Sequence, residues 1–242
     1  MHMKFVYIIL CTTLLSCQVP ESGLRPRVLI LVGGHSYDTA AFVEMFHSME
    51  GISYDTISYT ELPDLWRSGG LNKVDLLVHY HYLPDAPETD SSMYNDLNRA
   101  GIPMLFLHHS LCSYQGWDGY SQMAGGRYVM QGYTLDESLL SDYSHDLQLS
   151  VKIADRSHPV TTDVADFEIQ DEGYSNIQLS ESAVPLLLTS HPDCYPVVGW
   201  THRIEHSTSV TLMLGHDQHA YRNPSYRALI CNAIFWLTDN ND

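Results

Sequence analysis

The run from Arg27 to Gly33 (RVLILVG) is continuously apolar and rich in β-branched residues, and it stops at the pair Gly33-Gly34. That is the pattern of a strand buried on both faces of a parallel sheet. Beyond it, Asp38 is placed to cap a helix in which Phe42, Met45, Phe46 and Met49 recur at helical spacing before Gly51. The unit then repeats: strand Ile52 to Ser58, helix Leu62 to Arg67, strand Val74 to Tyr80, helix Glu88 to Arg99, strand Pro103 to His108. Strands and helices alternating in this way predict parallel pairing with right-handed crossovers, and ligands of such sheets bind beyond the carboxyl ends of the strands.

After Leu107 the rhythm changes. A glycine- and aromatic-rich loop, Ser113 to Tyr120, leads to strands near Leu147 to Ile153, Val184 to Thr189, Tyr195 to Thr201 and Ser209 to Leu214, which need not all be parallel. A further alternating segment from Phe167 ends in Asp171-Glu172-Gly173-Tyr174, and Pro224 opens a final amphipathic helix with Tyr226, Leu229, Ile230, Ala233, Ile234 and Leu237 on its core face. Neither a linker nor an internal repeat divides the chain, so residues 24–242 are expected to form a single α/β domain.

Residues 1–23 have a different character. Lys4 precedes the apolar run Phe5 to Leu15, too short for a stable membrane span and matching an export signal. The sequence Leu14-Leu15-Ser16-Cys17 resembles the lipobox of bacterial lipoproteins, which implies a lipid anchor at Cys17 and a place in the cell envelope, on the periplasmic face or the cell surface. A plain secretory signal and a first core strand are the alternatives. If this leader is processed, Cys112, Cys194 and Cys231 remain, an odd number without paired spacing. Isolated buried thiols are expected in preference to a disulfide framework, and a single bridge is compatible with an oxidising compartment.

A net charge of −17 with only 12 Lys and Arg removes the basic surface that nucleic-acid binding needs. The 14 His and 16 Tyr are high for 242 residues and supply side chains that bind metals, move protons and stack on sugars. Several histidines fall at predicted strand ends: His35 after the first, His79 and His81 on the third, His108 and His109 at the fourth, His216 after the last. Such ends converge at one edge of the sheet. His79 and His81 point to one face and read as core residues; of the adjacent pair, pleat alternation favours His109 as the one facing substrate. His216 and His219 have a spacing that puts two imidazoles on one metal if helical. His145, His158, His202 and His206 lie in polar stretches and are expected at the surface. Glu172, at a strand end beside Gly173, suits a general base or a metal ligand. No dinucleotide, P-loop, zincin or nucleophile-elbow motif is present.

Taken in order, Leu31 to Asp38, Gly101-Ile102-Pro103 through Leu107-His108-His109-Ser110, Trp117 to Tyr120, Gly125 to Tyr128, His158-Pro159-Val160-Thr161, Asp171 to Tyr174, Gly199-Trp200 and Gly215-His216-Asp217 resemble the trehalose-utilisation (ThuA-like) family over nearly the whole mature chain. The resemblance implies a class I glutamine amidotransferase-like fold: a flavodoxin-like three-layer sandwich around a mostly parallel sheet. It does not imply amidotransferase chemistry, because Cys112 is displaced from the strand end and lacks the glycine neighbours of that nucleophile.

Together these readings point to an exported enzyme acting on a small carbohydrate, a glycoside or a 3-keto sugar, as a hydrolase, lyase or isomerase. His109, Glu172, His35 and His216 are the candidate catalytic residues, and Tyr37, Trp117 and Tyr174 the candidate sugar-binding ones. His35, His109 and His216 are the candidate ligands of a divalent metal. A noncatalytic carbohydrate-binding lipoprotein is the alternative, and a metal-storage or metal-sensing module a third.

Overall fold

The computed structural model describes residues 25–85 and 87–239. The leader, Cys17 and the start of the domain at residue 24 lie outside the described residues. The chain runs β1 (Arg27–Gly33), α1 (Thr39–His47), β2 (Ser53–Ser58), α2 (Leu62–Arg67), β3 (Leu76–His81), α3 (Glu88–Arg99), β4 (Met104–Leu107), α4 (Asp118–Ala124), β5 (Gly126–Arg127), β6 (Asp142–Ile153), β7 (Phe167–Ser175), β8 (Gln178–Leu179), β9 (Val184–Thr189), β10 (Val197–Ile204), β11 (Ser207–Leu212), α5 (Gln218–Arg222) and α6 (Pro224–Asp239). The Asp38 carboxylate caps α1, accepting from the amide of Ala41 at 3.1 Å.

Nine strands form one sheet in the order β2-β1-β3-β4-β11-β10-β9-β6-β7, and β5 and β8 pair separately. The sheet is mixed, parallel in its first half as expected. From β2 to β11 every pairing is parallel, and from β11 to β7 every pairing is antiparallel. The reason lies in the connections. The first four strands are joined by helical crossovers, whereas β10 and β11 are joined by a tight turn at 205–206, which only antiparallel neighbours permit.

Pleat alternation in β3 shows how the layers form. Tyr80 stacks on Phe42 of α1 on one face, while His79 packs against Tyr94 of α3 and Tyr120 of α4 on the other. Helices α1, α5 and α6 cover the first face, and α3 and α4 the second, giving an α/β three-layer sandwich. Among the described residues no helix is long and apolar enough to cross a membrane.

At the carboxyl end of β1, Gly34 has φ +79, and a Cβ there would collide with the carbonyl of Tyr82 after β3. Glycine lets these two strand ends close on each other at the edge where ligands of such sheets bind.

Candidate functional site

Four segments deliver side chains to one point on that edge. His108 comes directly after β4, Glu172 from β7, His216 from the turn between β11 and α5, and His145 from β6. The separations are His108 Nε2 to His216 Nδ1 3.2 Å, His108 Nε2 to Glu172 Oε1 3.4 Å, His216 Nδ1 to Glu172 Oε2 3.6 Å and His145 Nδ1 to Glu172 Oε2 2.7 Å. His108 and Glu172 are buried, His216 is half-buried and His145 exposed. A cavity of about 250 Å³ opens onto His145, Glu172 and His216, lined also by Asp146, Gln170, Asp171 and Asp217.

Local structure explains the convergence. His108 has φ +46, a left-handed conformation uncommon for a residue with a Cβ, which ends β4 and starts the 3-10 turn His108–Cys112. Its Nδ1 lies 2.9 Å from the carbonyl oxygen of Met213, so Nδ1 carries the proton and donates, and Nε2 faces the cluster. The Tyr174 hydroxyl lies 3.0 Å from Nε2 and its ring stacks on the imidazole. In β6 the pairing steps from Ser144 opposite Gly173 to Leu147 opposite Asp171, so His145 and Asp146 together face Glu172 across a bulge. A bulge of this kind re-aims a side chain, and here it turns His145 onto the Glu172 carboxylate. Asp171 locks the arrangement, accepting from the amides of Glu172 at 2.8 Å, Gly215 at 2.7 Å and His216 at 2.9 Å.

Charge follows geometry. Burial pushes the His108 imidazole down, but the hydrogen bond it donates to Glu172 when protonated, the charges of Asp171 and Glu172 and the Met213 carbonyl outweigh it, leaving its pKa raised. Burial pushes the Glu172 carboxyl up, yet His108, with His216 and His145, holds it below the ordinary carboxylate value. For His216, burial and the neighbouring His108 prevail over Glu172 and keep the ring neutral to lower pH than usual. Burial dominates at Asp171 and raises it against the pull of His108 and its three amide donors. Two acceptor nitrogens and a carboxylate therefore face one point, bridged by a shared proton or by a cation.

The donor set fits a divalent metal. His108, Glu172 and His216 each offer a ligand atom, all within 4.8 Å of one another. A tetrahedral ion with bonds of about 2.1 Å holds its ligands about 3.4 Å apart, which the three separations above bracket. Two His and one Glu would leave a coordination position open, as catalytic sites do, and the Met213 carbonyl supplies the outer hydrogen bond that fixes a ligating histidine.

The sequence profile described as ThuA, trehalose utilisation, matches residues 27–237. The chain belongs to the ThuA family. Crystal structures of ThuA-like proteins from Parabacteroides merdae and Bacteroides uniformis superpose with TM-scores of 0.71 and 0.65 at 12% and 15% identity, covering 88% of this chain in each case and 90% and 92% of theirs. A glutamine amidotransferase from Thermotoga maritima superposes at TM-score 0.50 and 10% identity, over 89% of this chain and 99% of that one, a likeness of fold alone. No curated protein matches the sequence. The family is thus a carbohydrate-utilisation one, and this ThuA chain carries a His/Glu cluster suited to acid–base or metal-assisted chemistry.

Within this ThuA fold, Glu172, His216 and Tyr174 come together. His109 does not join them. It is buried, packs its ring on Tyr80 at 4.4 Å, and is kept neutral by burial and by His108 and His35. The pleat argument fails because the left-handed turn at His108 breaks the alternation, sending His108 to the cluster. His35 is exposed, its ring 5.1 Å from that of His109, so His35, His109, His108, His216 and His145 form a row with successive ring centroids 5.1 to 5.5 Å apart. Tyr37 packs between Phe42 and Tyr80, and Trp117 lines a different cavity.

His219 is exposed in α5 and stands outside the His108–Glu172–His216 cluster. His158 caps the 3-10 turn Pro159–Thr161, its Nδ1 accepting from the Val160 amide at 3.1 Å. Cys112 and Cys194 are buried free thiols, and burial pushes both upward, which disfavours a Cys112 thiolate. His108 and His145 were passed over by pattern reasoning. The only sequence hint for His145 is that Asp142 to Asp146 extends the β6 strand upstream of its apolar alternation.

Proposed function

We propose that this ThuA-family chain is a carbohydrate-active enzyme in which His108, Glu172 and His216 hold a divalent cation and His145 transfers protons at the mouth of the cleft. The observation that carries this reading is the mutual spacing of 3.2, 3.4 and 3.6 Å among three donor atoms from three separate segments. Such a cation supplies Lewis-acid polarisation of a substrate oxygen.

The chain's own residues do the rest. Asp171 fixes the backbone at Gly215 and His216, and Tyr174 holds the His108 ring. His145, 2.7 Å from the Glu172 carboxylate and open to solvent, is placed to carry a proton between the cleft and water. The family description, trehalose utilisation, supports a sugar substrate, which we take to be a glycoside or a 3-keto sugar. A sugar carbonyl acidifies the neighbouring C–H, which brings elimination or isomerisation within reach of a carboxylate–imidazole pair. Hydrolysis of a glycoside uses the same acid and base.

The test is to incubate the purified protein, with and without a chelator, with disaccharides and their 3-keto forms. Product is expected, and it is expected to be lost on chelation and in Glu172→Gln and His108→Ala variants. Unchanged turnover in both variants sinks the site; saturable sugar binding with no product establishes the noncatalytic carbohydrate-binding reading instead.

We also infer export and a lipid anchor at Cys17, supported by the sequence of residues 1–23 alone. Membrane association lost in Cys17→Ala supports the anchor, and unchanged fractionation refutes it.

A further inference from the structure

We propose that a second cavity on the same edge of the sheet is a binding subsite for a neutral pyranose, separate from the histidine cleft. It lies between the turn that follows β3 and the loop that enters α4, has a volume of about 530 Å³ and is lined by Pro84, Asp85, Ser91, Gly116, Trp117 and Tyr133. That volume falls in the range of about 300–1,000 Å³ typical of small-ligand sites. None of these residues lines the cavity at Glu172.

The walls are built to be rigid. The Trp117 indole is seated against Tyr94 and Tyr114, with ring centroids 6.0 and 6.2 Å away, and Gly119 leaves room for its six-membered ring. Tyr133 donates its hydroxyl to Asp85 at 2.5 Å, tying the 131–139 segment to the turn after β3. Trp117 therefore offers a fixed aromatic surface, half-buried at the cavity wall, at little cost in conformational entropy.

The chemistry of the lining selects the ligand class. Aromatic surface suits the C–H face of a sugar ring, while the Asp85 carboxylate and the hydroxyls of Ser91 and Tyr133 suit its O–H groups. Among the described residues no Lys, Arg or His lines the cavity, and the chain carries a net charge of −17, a setting that suits a neutral ligand better than a phosphate or carboxylate. The location rests on this geometry alone; the choice of a carbohydrate rests on the reading given above for the chain.

Gly116 provides the test. It is exposed, and a Cβ there would meet nothing within 4 Å, so Gly116→Leu adds bulk at the cavity wall without a clash in the fold. Binding of methyl α-glucopyranoside and of trehalose is measured by calorimetry and saturation-transfer NMR on the wild type, Gly116→Leu and Tyr133→Phe. Gly116→Leu is expected to weaken binding by about tenfold or more, with Tyr133→Phe intermediate. Two results overturn the proposal: no saturable binding of either sugar to the wild type, or binding in Gly116→Leu equal to that of the wild type. Metal binding and turnover at Glu172 are read separately, so either proposal can fail without the other.

Discussion

His79 and His81 are fully buried on one face of β3, and neither ring nitrogen of His81 has a protein partner among the described residues. Burial holds the His81 imidazole down to about 3, so the folded protein keeps it neutral. An unfolded imidazole titrates near 6.5, so below that pH the unfolded state binds the extra proton and stability falls as pH drops, until the loss levels off near the folded value. Integrated from pH 7 to pH 5, His81 alone costs about 2 kcal/mol. His79, lowered by burial and by its neighbour His81, adds in the same direction. Chemical denaturation at the two pH values should show this loss in the wild type, and His81→Leu should reduce it. An equal loss in His81→Leu would show that the acid sensitivity has another source. The same row of residue types that seeds the cleft thus leaves an acid-labile interior behind it.

At the scale of elements, the site depends on three places where regular structure is interrupted: the left-handed turn at His108, the β6 bulge at His145 and the turn at Gly215. Gly215 has φ +116, and a Cβ there would collide with the Tyr226 hydroxyl, which donates to the Leu214 carbonyl at 3.1 Å. Gly215→Ala is therefore expected to destabilise the protein by about 2–4 kcal/mol, read from denaturant midpoints. A change below about 0.5 kcal/mol, the level of an ordinary surface substitution, would contradict the packing described at that turn.

These interruptions also explain what the sequence conveyed. Continuous apolar runs and helical spacing are long-range signals, and they located β1, α2, α3 and β9 to the residue. Glu172 and His216 were legible because they end or follow such runs. His108 and His145 were not, because a pleat argument assumes the strand continues, and one left-handed residue or one extra residue reverses which side chain faces the cleft. Trp117 lines a cavity apart from the cluster, and which cavity it faces depends on loop paths that carry no periodic signal.

Across the whole molecule, the parallel half of the sheet contributes His108 and the turn bearing His216, and the antiparallel half contributes Glu172 and His145. The cluster is thus the point where the two halves of the mixed sheet meet in function. Its surroundings include Asp146, Asp171 and Asp217 in a chain of net charge −17, a field that attracts cations and repels phosphates. The measurement that tests this most directly is calorimetric titration of metal-stripped protein with zinc and manganese at pH 7.5, comparing the wild type with Glu172→Gln. The account predicts about one ion bound per chain in the wild type and no saturable binding in Glu172→Gln. Equal binding by both proteins, or none by the wild type, would contradict a metal centre at His108, Glu172 and His216.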